Sequence, residues 1–424
     1  MELAIILTFI LGYLAITLEH NIKINKAATA LVTGVICWTI YILFQSDKHL
    51  VSEQLTEHLG EVSGILFFLL GAMTIVELID AHDGFQIITD KIKTRSPVKL
   101  LWVVSFITFF LSAVLDNLTT TIVIVSLLRK LITDKEQRLF FIGMTVVAAN
   151  AGGAWSPLGD VTTTMLWIGG QITALNIIKE LFIPSLFCLL IPLIIISFRM
   201  KGSVQPDQEL RNENLKPAFH RNFVFFLGVG ILIFVPVFKT LTHLPPFMAI
   251  LLGLGLMWII TEILHSSTDT ADKNALTVVY ALRKIDTPSI LFFLGILISI
   301  SALQVTGQLS QLAAWLSDTI KNDAAIVTSM GLLSAIVDNV PLVAASQGMY
   351  SLDQYPTDHF FWVFLAYATG TGGSALIIGS AAGVAAMGME KVTFFWYLKS
   401  ITWLALVGYF AGILIYLLQY NLTH

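Results

Sequence analysis

Runs of about 17 to 25 apolar residues recur from one end of this chain to the other, and few folds can accept them. In hydrocarbon the backbone must satisfy its own N–H and C=O groups, so only helices and closed barrels can span. The short alternating segments of a barrel are absent, and the pattern predicts an all-α polytopic membrane protein. Composition agrees: 56% of the 424 residues are hydrophobic and only 12% charged, against about one quarter charged in soluble domains. No stretch remains for an extramembrane catalytic domain, so a transporter is expected and not an enzyme. The net charge of −4 says little about partners; the expected partner is the lipid bilayer, with no nucleic acid. Cys37 and Cys188 lie in separate apolar runs without metal-like spacing and read as small core residues, and no cofactor is implied. The first run lacks a basic n-region and a small-residue cleavage site, so it reads as a retained helix.

Apolar runs between charged breaks place spans near 2–19, 27–45, 62–79, 139–171, 176–198, 222–241, 247–265, 289–305, 358–389 and 397–419. The basic clusters at 23–26, 91–99, 129–138, 199–211, 273–284 and 391–399 can all be cytoplasmic together, which satisfies the positive-inside rule. Between Lys99 and Arg129 lie about 30 residues; folded at Asp116 they give arms of about 22 Å, too short to cross. The segment therefore reads as a re-entrant hairpin entering from the cytoplasm with Asp116-Asn117 at its tip. A second hairpin, 324–350, carries Asp338-Asn339 and is flanked by acidic residues, so it should enter from the opposite face. Segments 82–96, 270–284 and 307–322 read as interfacial amphipathic helices. His20, His58, His82, His220, His265 and His359 fall in breaks and are expected at the surface. Glu77 and Glu262 lie near cytoplasmic span ends and should reach the interface.

The chain repeats itself. GILFFLLG at 64–71 matches SILFFLG at 289–295, the Asp-Asn pairs match, and ANAGGAWSPLGD at 149–160 matches TGTGGSALIIGS at 369–380, with offsets of about 220 to 225 residues. Five spans plus a hairpin are an odd number of crossings, so the second copy should be inverted: residues 1–200 form one repeat, 201–221 a cytoplasmic linker and 222–424 the other. Inverted repeats with interrupted helices characterise secondary transporters, whose substrate sites lie at the midplane.

Asn150, Gly152, Gly153, Pro157 and Gly159 argue against an unbroken helix, as do Gly370, Gly372, Gly373 and Gly379, so both spans should unwind there. Two tips and two unwound segments would converge, bringing together Asp116, Asn117, Thr119, Thr120, Asn150, Asp160, Thr162, Thr163, Asp338, Asn339, Ser374 and Ser380. These are oxygen donors, the ligands a hard cation prefers, and the lack of arginine or lysine among them argues against an anion. Three carboxylates in a low-dielectric cavity cannot all be ionised cheaply, so Asp116, Asp338 or Asp160 should hold a proton when the cation is absent. Proton and cation then compete for the same oxygens. Each residue has a plainer use. Asp160 can cap the helix restarting at Val161, the threonines can bond helix carbonyls, Asn117 and Asn339 can hold the tips, and Ser374 and Ser380 can allow close backbone approach.

At SAVLDNLTT (112–120), AANAGGAWSPLGDVTT (148–163) and SAIVDNVPL (334–342) the chain resembles the NhaD-type sodium/proton antiporters of the ion transporter superfamily. The resemblance implies a bacterial inner-membrane antiporter exchanging cytoplasmic Na⁺, with Li⁺ as an alternative cargo, for external H⁺, and a homodimer. Relatives that carry dicarboxylates have Ser-Asn-Thr at the tips; Asp-Asn here fits a cation bound alone. Val340, Pro341 and Ser380 stand where the first copy has Leu118, Thr119 and Asp160, so the half-sites are unequal. An anion or metalloid oxyanion transporter on the same scaffold is the alternative. A passive channel would show rings of identical charges, and an intramembrane aspartyl protease would carry a further glycine before its Gly-Asp pair, which Gly159-Asp160 lacks.

Overall fold

The computed structural model describes residues 1–89, 92, 94, 96–200, 218–265 and 276–423, and among these all regular structure is helical. In chain order the helices are α1 (Glu2–Thr17), α2 (Glu19–Ile22), α3 (Lys26–Phe44), α4 (Lys48–Ala81), α5 (Gln86–Thr89), α6 (Pro97–Leu115) and α7 (Asn117–Leu131). There follow α8 (Lys135–Ala154), α9 (Val161–Ile168), α10 (Ala174–Ser197), α11 (Ala218–Thr242), α12 (Pro246–Leu264), α13 (Val278–Lys284) and α14 (Thr287–Val305). The last are α15 (Gln308–Ile320), α16 (Asp323–Leu333), α17 (Asn339–Met349), α18 (Phe360–Gly372), α19 (Ala381–Glu390), α20 (Phe394–Ser400) and α21 (Thr402–Thr423). Eight of them, α3, α4, α6, α10, α11, α12, α14 and α21, are long and apolar enough to cross a membrane.

The expected span 62–79 is only the later part of α4. Asp47 accepts from His49 N and Leu50 N at 3.0 and 3.1 Å, and this cap starts a polar extension that joins the apolar run without a break. The full 34 residues reach about 51 Å at 1.5 Å per residue.

The expected spans 139–171 and 358–389 are each two helices, α8 with α9 and α18 with α19, but the breaks fall later than the glycines suggested. Helix α8 runs through Asn150, Gly152 and Gly153 to Ala154, and the chain leaves helical form only at 155–160. Close packing overrides propensity here. A Cβ on Gly152 would lie 2.2 Å from the carbonyl oxygen of Phe109, and one on Gly372 would lie 1.9 Å from that of Gly331. Each broken helix thus lies bare against the first arm of a hairpin. Ser112 Oγ donates to Ala149 O at 2.6 Å and Ser334 Oγ to Thr369 O at 3.1 Å, so the contact recurs in both halves.

The first hairpin is α6 and α7, folded at Asp116; the second is α16 and α17, joined through 334–338. Ser96 and Pro97 begin α6 early enough to give it 19 residues, so its arm is longer than expected. The open end of the first hairpin lies at the C-terminal end of α10, where Trp102 Nε1 donates to Ser197 Oγ at 2.9 Å. There Arg129 and Arg138 both bind the buried Glu390 at the end of α19, Arg138 Nε at 3.0 Å. The open end of the second lies toward the N-terminus of α10: Tyr355 binds Asp323 at 2.9 Å, and nearby Asp358 binds Thr173 at 2.7 Å. Around these bodies α3 packs on α1 and α14, α12 packs on α4 and α11, and α10 packs on α21.

Two surface expectations are corrected. His82 and His265 are buried, with their Nε2 atoms 3.0 Å apart, because each caps a helix C-terminus inside the packed α4 and α12 pair. His58 packs beside Trp38, ring centres 6.4 Å apart. Most of the expected linker 201–221 lies outside the described residues, and its last four residues already belong to α11. Of the amphipathic segments, 307–322 contains α15, 270–284 contains α13 with 270–275 outside the described residues, and 82–96 contains α5.

Candidate functional site

Four helices start within hydrogen-bonding reach of one shared network, and each start is capped by the side chain that precedes it. Asp116 accepts from Thr119 N at 2.8 Å for α7, Asp160 from Thr162 N at 3.0 Å for α9, Asp338 from Val340 N at 3.3 Å for α17, and Ser380 from Gly383 N at 3.2 Å for α19. Helix N-termini carry partial positive charge and attract anions. Here carboxylates of the chain itself already fill three of the four. Asp116 reaches its position with φ +82°, a region that L residues seldom occupy, so the first tip is held by its surroundings against local preference.

Hydrogen bonds join the four starts into one network around Asp160. Asn117 Nδ2 donates to Asp160 Oδ2 at 2.7 Å and to Asn150 Oδ1 at 3.0 Å. Asn339 Nδ2, from the other tip, lies 3.3 Å from both Asp160 oxygens. Thr162 Oγ1 donates to Asp160 Oδ1 at 2.9 Å. Asn150 Nδ2 then reaches Ser374 Oγ and Ser380 Oγ, both at 2.9 Å, and links the two broken helices. Asn117, Asn150, Asp160, Asn339, Ser374 and Ser380 are all buried. Burial of so many polar groups is tolerable only because they satisfy one another.

The remaining candidates sit differently. Thr119 donates through Oγ1 to Asp116 Oδ2 at 2.9 Å, so both Asp116 oxygens are engaged within their own turn. Thr163 bonds the Asp160 carbonyl at 2.9 Å, the plainer role foreseen for a threonine. Thr120 is fully buried and its hydroxyl has no partner, an oxygen left over one turn into α7. Asp338 accepts a hydrogen bond at Oδ2 from Lys26 Nζ at 3.2 Å. This corrects one reading: although no lysine or arginine stands among the candidate residues, a lysine does reach one of the carboxylates. The partners are 312 residues apart in sequence, and nothing in the local pattern around Lys26 signals the pairing.

Among the described residues no lysine or arginine pairs with Asp160. Nor do three histidine, cysteine or acidic side chains gather in a metal-holding group. The network therefore presents one carboxylate, three carboxamides and several hydroxyls. That donor set matches a hard cation of single charge better than a divalent or soft one.

Comparison with known proteins agrees with this chemistry. The family model CitMHS, described as a citrate transporter, matches residues 3–370. Sodium/proton antiporter 1 of Arabidopsis thaliana is 50% identical over 99% of this chain and 73% of its own length, and sodium/proton antiporter 2 of the same plant is 47% identical over 98% and 99%. The Na(+)/H(+) antiporter NhaD of Alkalimonas amylolytica is 30% identical over 98% and 90%. A crystal structure of the Alcanivorax borkumensis YdaH transporter, described as having an unusual topology, superposes with a TM-score of 0.55 at 12% identity, covering 88% of this chain and 89% of that one. The last likeness concerns the fold alone. By these matches the chain belongs to the CitMHS family and, within it, to the NhaD-type sodium/proton antiporters.

Proposed function

We propose that the protein is a secondary antiporter that expels cytoplasmic Na⁺, with Li⁺ as an alternative cargo, in exchange for external H⁺. The observation that carries this reading is the Asp160 carboxylate, which accepts from Asn117 and Asn339, one from each hairpin tip. A cation arriving there replaces the amide donors, which turn to offer their oxygens, and Asn150, Thr120, Thr162, Ser374 and Ser380 supply the rest of the shell. A proton on Asp160 satisfies the same carboxylate when the cation leaves, so the two exclude each other. Asp116 and Asp338 border the seat, as further ligands of the cation and as proton carriers. The citrate in the family description is not the cargo proposed here, because the helix N-termini that would attract it are filled by aspartates of the chain.

In this reading the halves 1–200 and 222–424 are inverted repeats, supported by the recurring contacts and by hairpins open toward opposite ends of α10. The setting is a bacterial inner membrane with the basic ends inside. The homodimer implied by the resemblance is a matter for native mass spectrometry.

The test is a proteoliposome assay with an internal pH dye, adding Na⁺, Li⁺, K⁺ and citrate in turn. Proton movement evoked by Na⁺ and Li⁺ is expected. Movement evoked by citrate and not by Na⁺ would overturn the proposal.

A further inference from the structure

Lys26 is the first residue of α3, where a positive charge opposes the helix dipole. Its placement is explained by what it touches. The ammonium lies 3.2 Å from Asp338 Oδ2 and 4.3 Å from the centre of the Phe292 ring, a seat suited to a cation on both sides. Lys26 also lines a cavity of about 600 Å³ bounded by Leu118 and Ile122 of α7, Pro288 and Ser289 of α14, and Ala381 and Val384 of α19. Asp338 is not among the residues lining this cavity. Lys26 thus both borders the cavity and holds the carboxylate.

From this arrangement we infer that Lys26 is a tethered placeholder: its ammonium occupies Asp338 while no transported cation is present, and an incoming Na⁺ must displace it. The inference rests on the antiport reading above and adds a positioning residue that sets how tightly the cation binds. The exchange at Asp338 is neutral, one positive charge replacing another, so no unpaired carboxylate is left half-buried at either stage. The groups facing the pair can receive the released ammonium. Glu19 of α2 accepts from Lys26 N at 3.1 Å, and Asp286, just before α14, lines the same cavity. Tyr13 of α1 lies close enough to feel the charge of Asp338, and Asp160 is linked to the same tip through Asn339. A placeholder lowers apparent affinity by the fraction of time it fills the seat, so one that is present about 90% of the time weakens cation binding about tenfold.

The decisive measurement is equilibrium binding of radioactive ²²Na⁺ to the purified full-length protein at one fixed pH, for wild type, Lys26→Gln, Lys26→Arg, Asp338→Asn and the double variant Lys26→Gln/Asp338→Asn. Lys26→Gln is expected to bind Na⁺ about three- to tenfold more tightly, whereas Lys26→Arg, which restores a cation, should stay within about twofold of wild type. The double variant should match Asp338→Asn, because the lysine acts only through that carboxylate. Weaker or unchanged binding by Lys26→Gln, in a wild type that does bind Na⁺, overturns the placeholder and leaves antiport standing. A wild type that binds no Na⁺ overturns both.

Discussion

The two halves of the molecule solve the same problem with different chemistry. Each closes the end of a hairpin onto the end of a broken helix. In the first hairpin the closure is charged: Arg129 and Arg138 clasp the buried Glu390. In the second it is made by hydrogen bonds, with no ion pair among the described residues: the amides of Gln347 and Gln171 meet at 2.8 Å, Gln347 Nε2 reaches Met165 O at 3.3 Å, and Asp323 accepts from Tyr355 at 2.9 Å. The caps differ in the same way. Asp160 begins α9 with a carboxylate that both tips touch, whereas Ser380 begins α19 with a hydroxyl bonded to Asn150. The tips differ too, for Asp116 is satisfied by Thr119 while Asp338 turns to Lys26, since Pro341 stands where a threonine hydroxyl would be. A repeated backbone scheme thus carries one carboxylate cap shared by both tips and one hydroxyl cap, not two equal ones.

The sharpest break in this comparison is exchange of the caps. Asp160→Asn is predicted to reduce Na⁺-evoked proton movement by about 100-fold or more, the scale set by losing charge-assisted bonds worth about 3 kcal/mol. Ser380→Ala, which removes two neutral bonds, should reduce it by about ten- to thirtyfold. Equal losses in the proteoliposome assay would refute the inequality of the halves.

The closures are expected to differ nearly as much in stability. Replacing both Arg129 and Arg138 by Met strands Glu390 without its partners and should cost about 3 to 5 kcal/mol. Gln347→Ala removes neutral hydrogen bonds and should cost about 1 kcal/mol. Thermal unfolding in detergent measures both, and a larger loss for the glutamine variant would reverse the assignment.

A smaller effect tests the shared scheme. Gly372→Ala drives a methyl group into the Gly331 carbonyl and should destabilise by about 1 to 3 kcal/mol. Gly388→Ala, with nothing within 4 Å of its added carbon, should stabilise α19 by up to about 1 kcal/mol. The same melting experiment separates them.

Much of this was legible in the chain, and the reasons for success and failure are physical. Apolar length gave the helices because hydrocarbon leaves the backbone little choice. The two Asp-Asn tips and the Asp160 break were visible because ionisable groups in apolar runs are expensive and therefore placed for use. The onset of the breaks was misplaced because glycine propensity is local, while Gly152 and Gly372 are kept helical by a neighbouring carbonyl. The polar start of α4 was hidden because hydropathy marks spans and not helices. Lys26 and the buried His82–His265 pair were misjudged for one reason: 312 and 183 residues separate the partners, and charge near a span end reads as surface until folding brings its counterpart.

The bare contact of each broken helix on its hairpin has a mechanical consequence. With no side chain between the two backbones, neither can slide past the other without a steric collision; Asn117 and Asn339 fasten both tips to Asp160, and Asn150 ties Asn117 to Ser374 and Ser380. Under the antiport proposed above, these four segments would then have to move together, and the walls of the seat with their passenger.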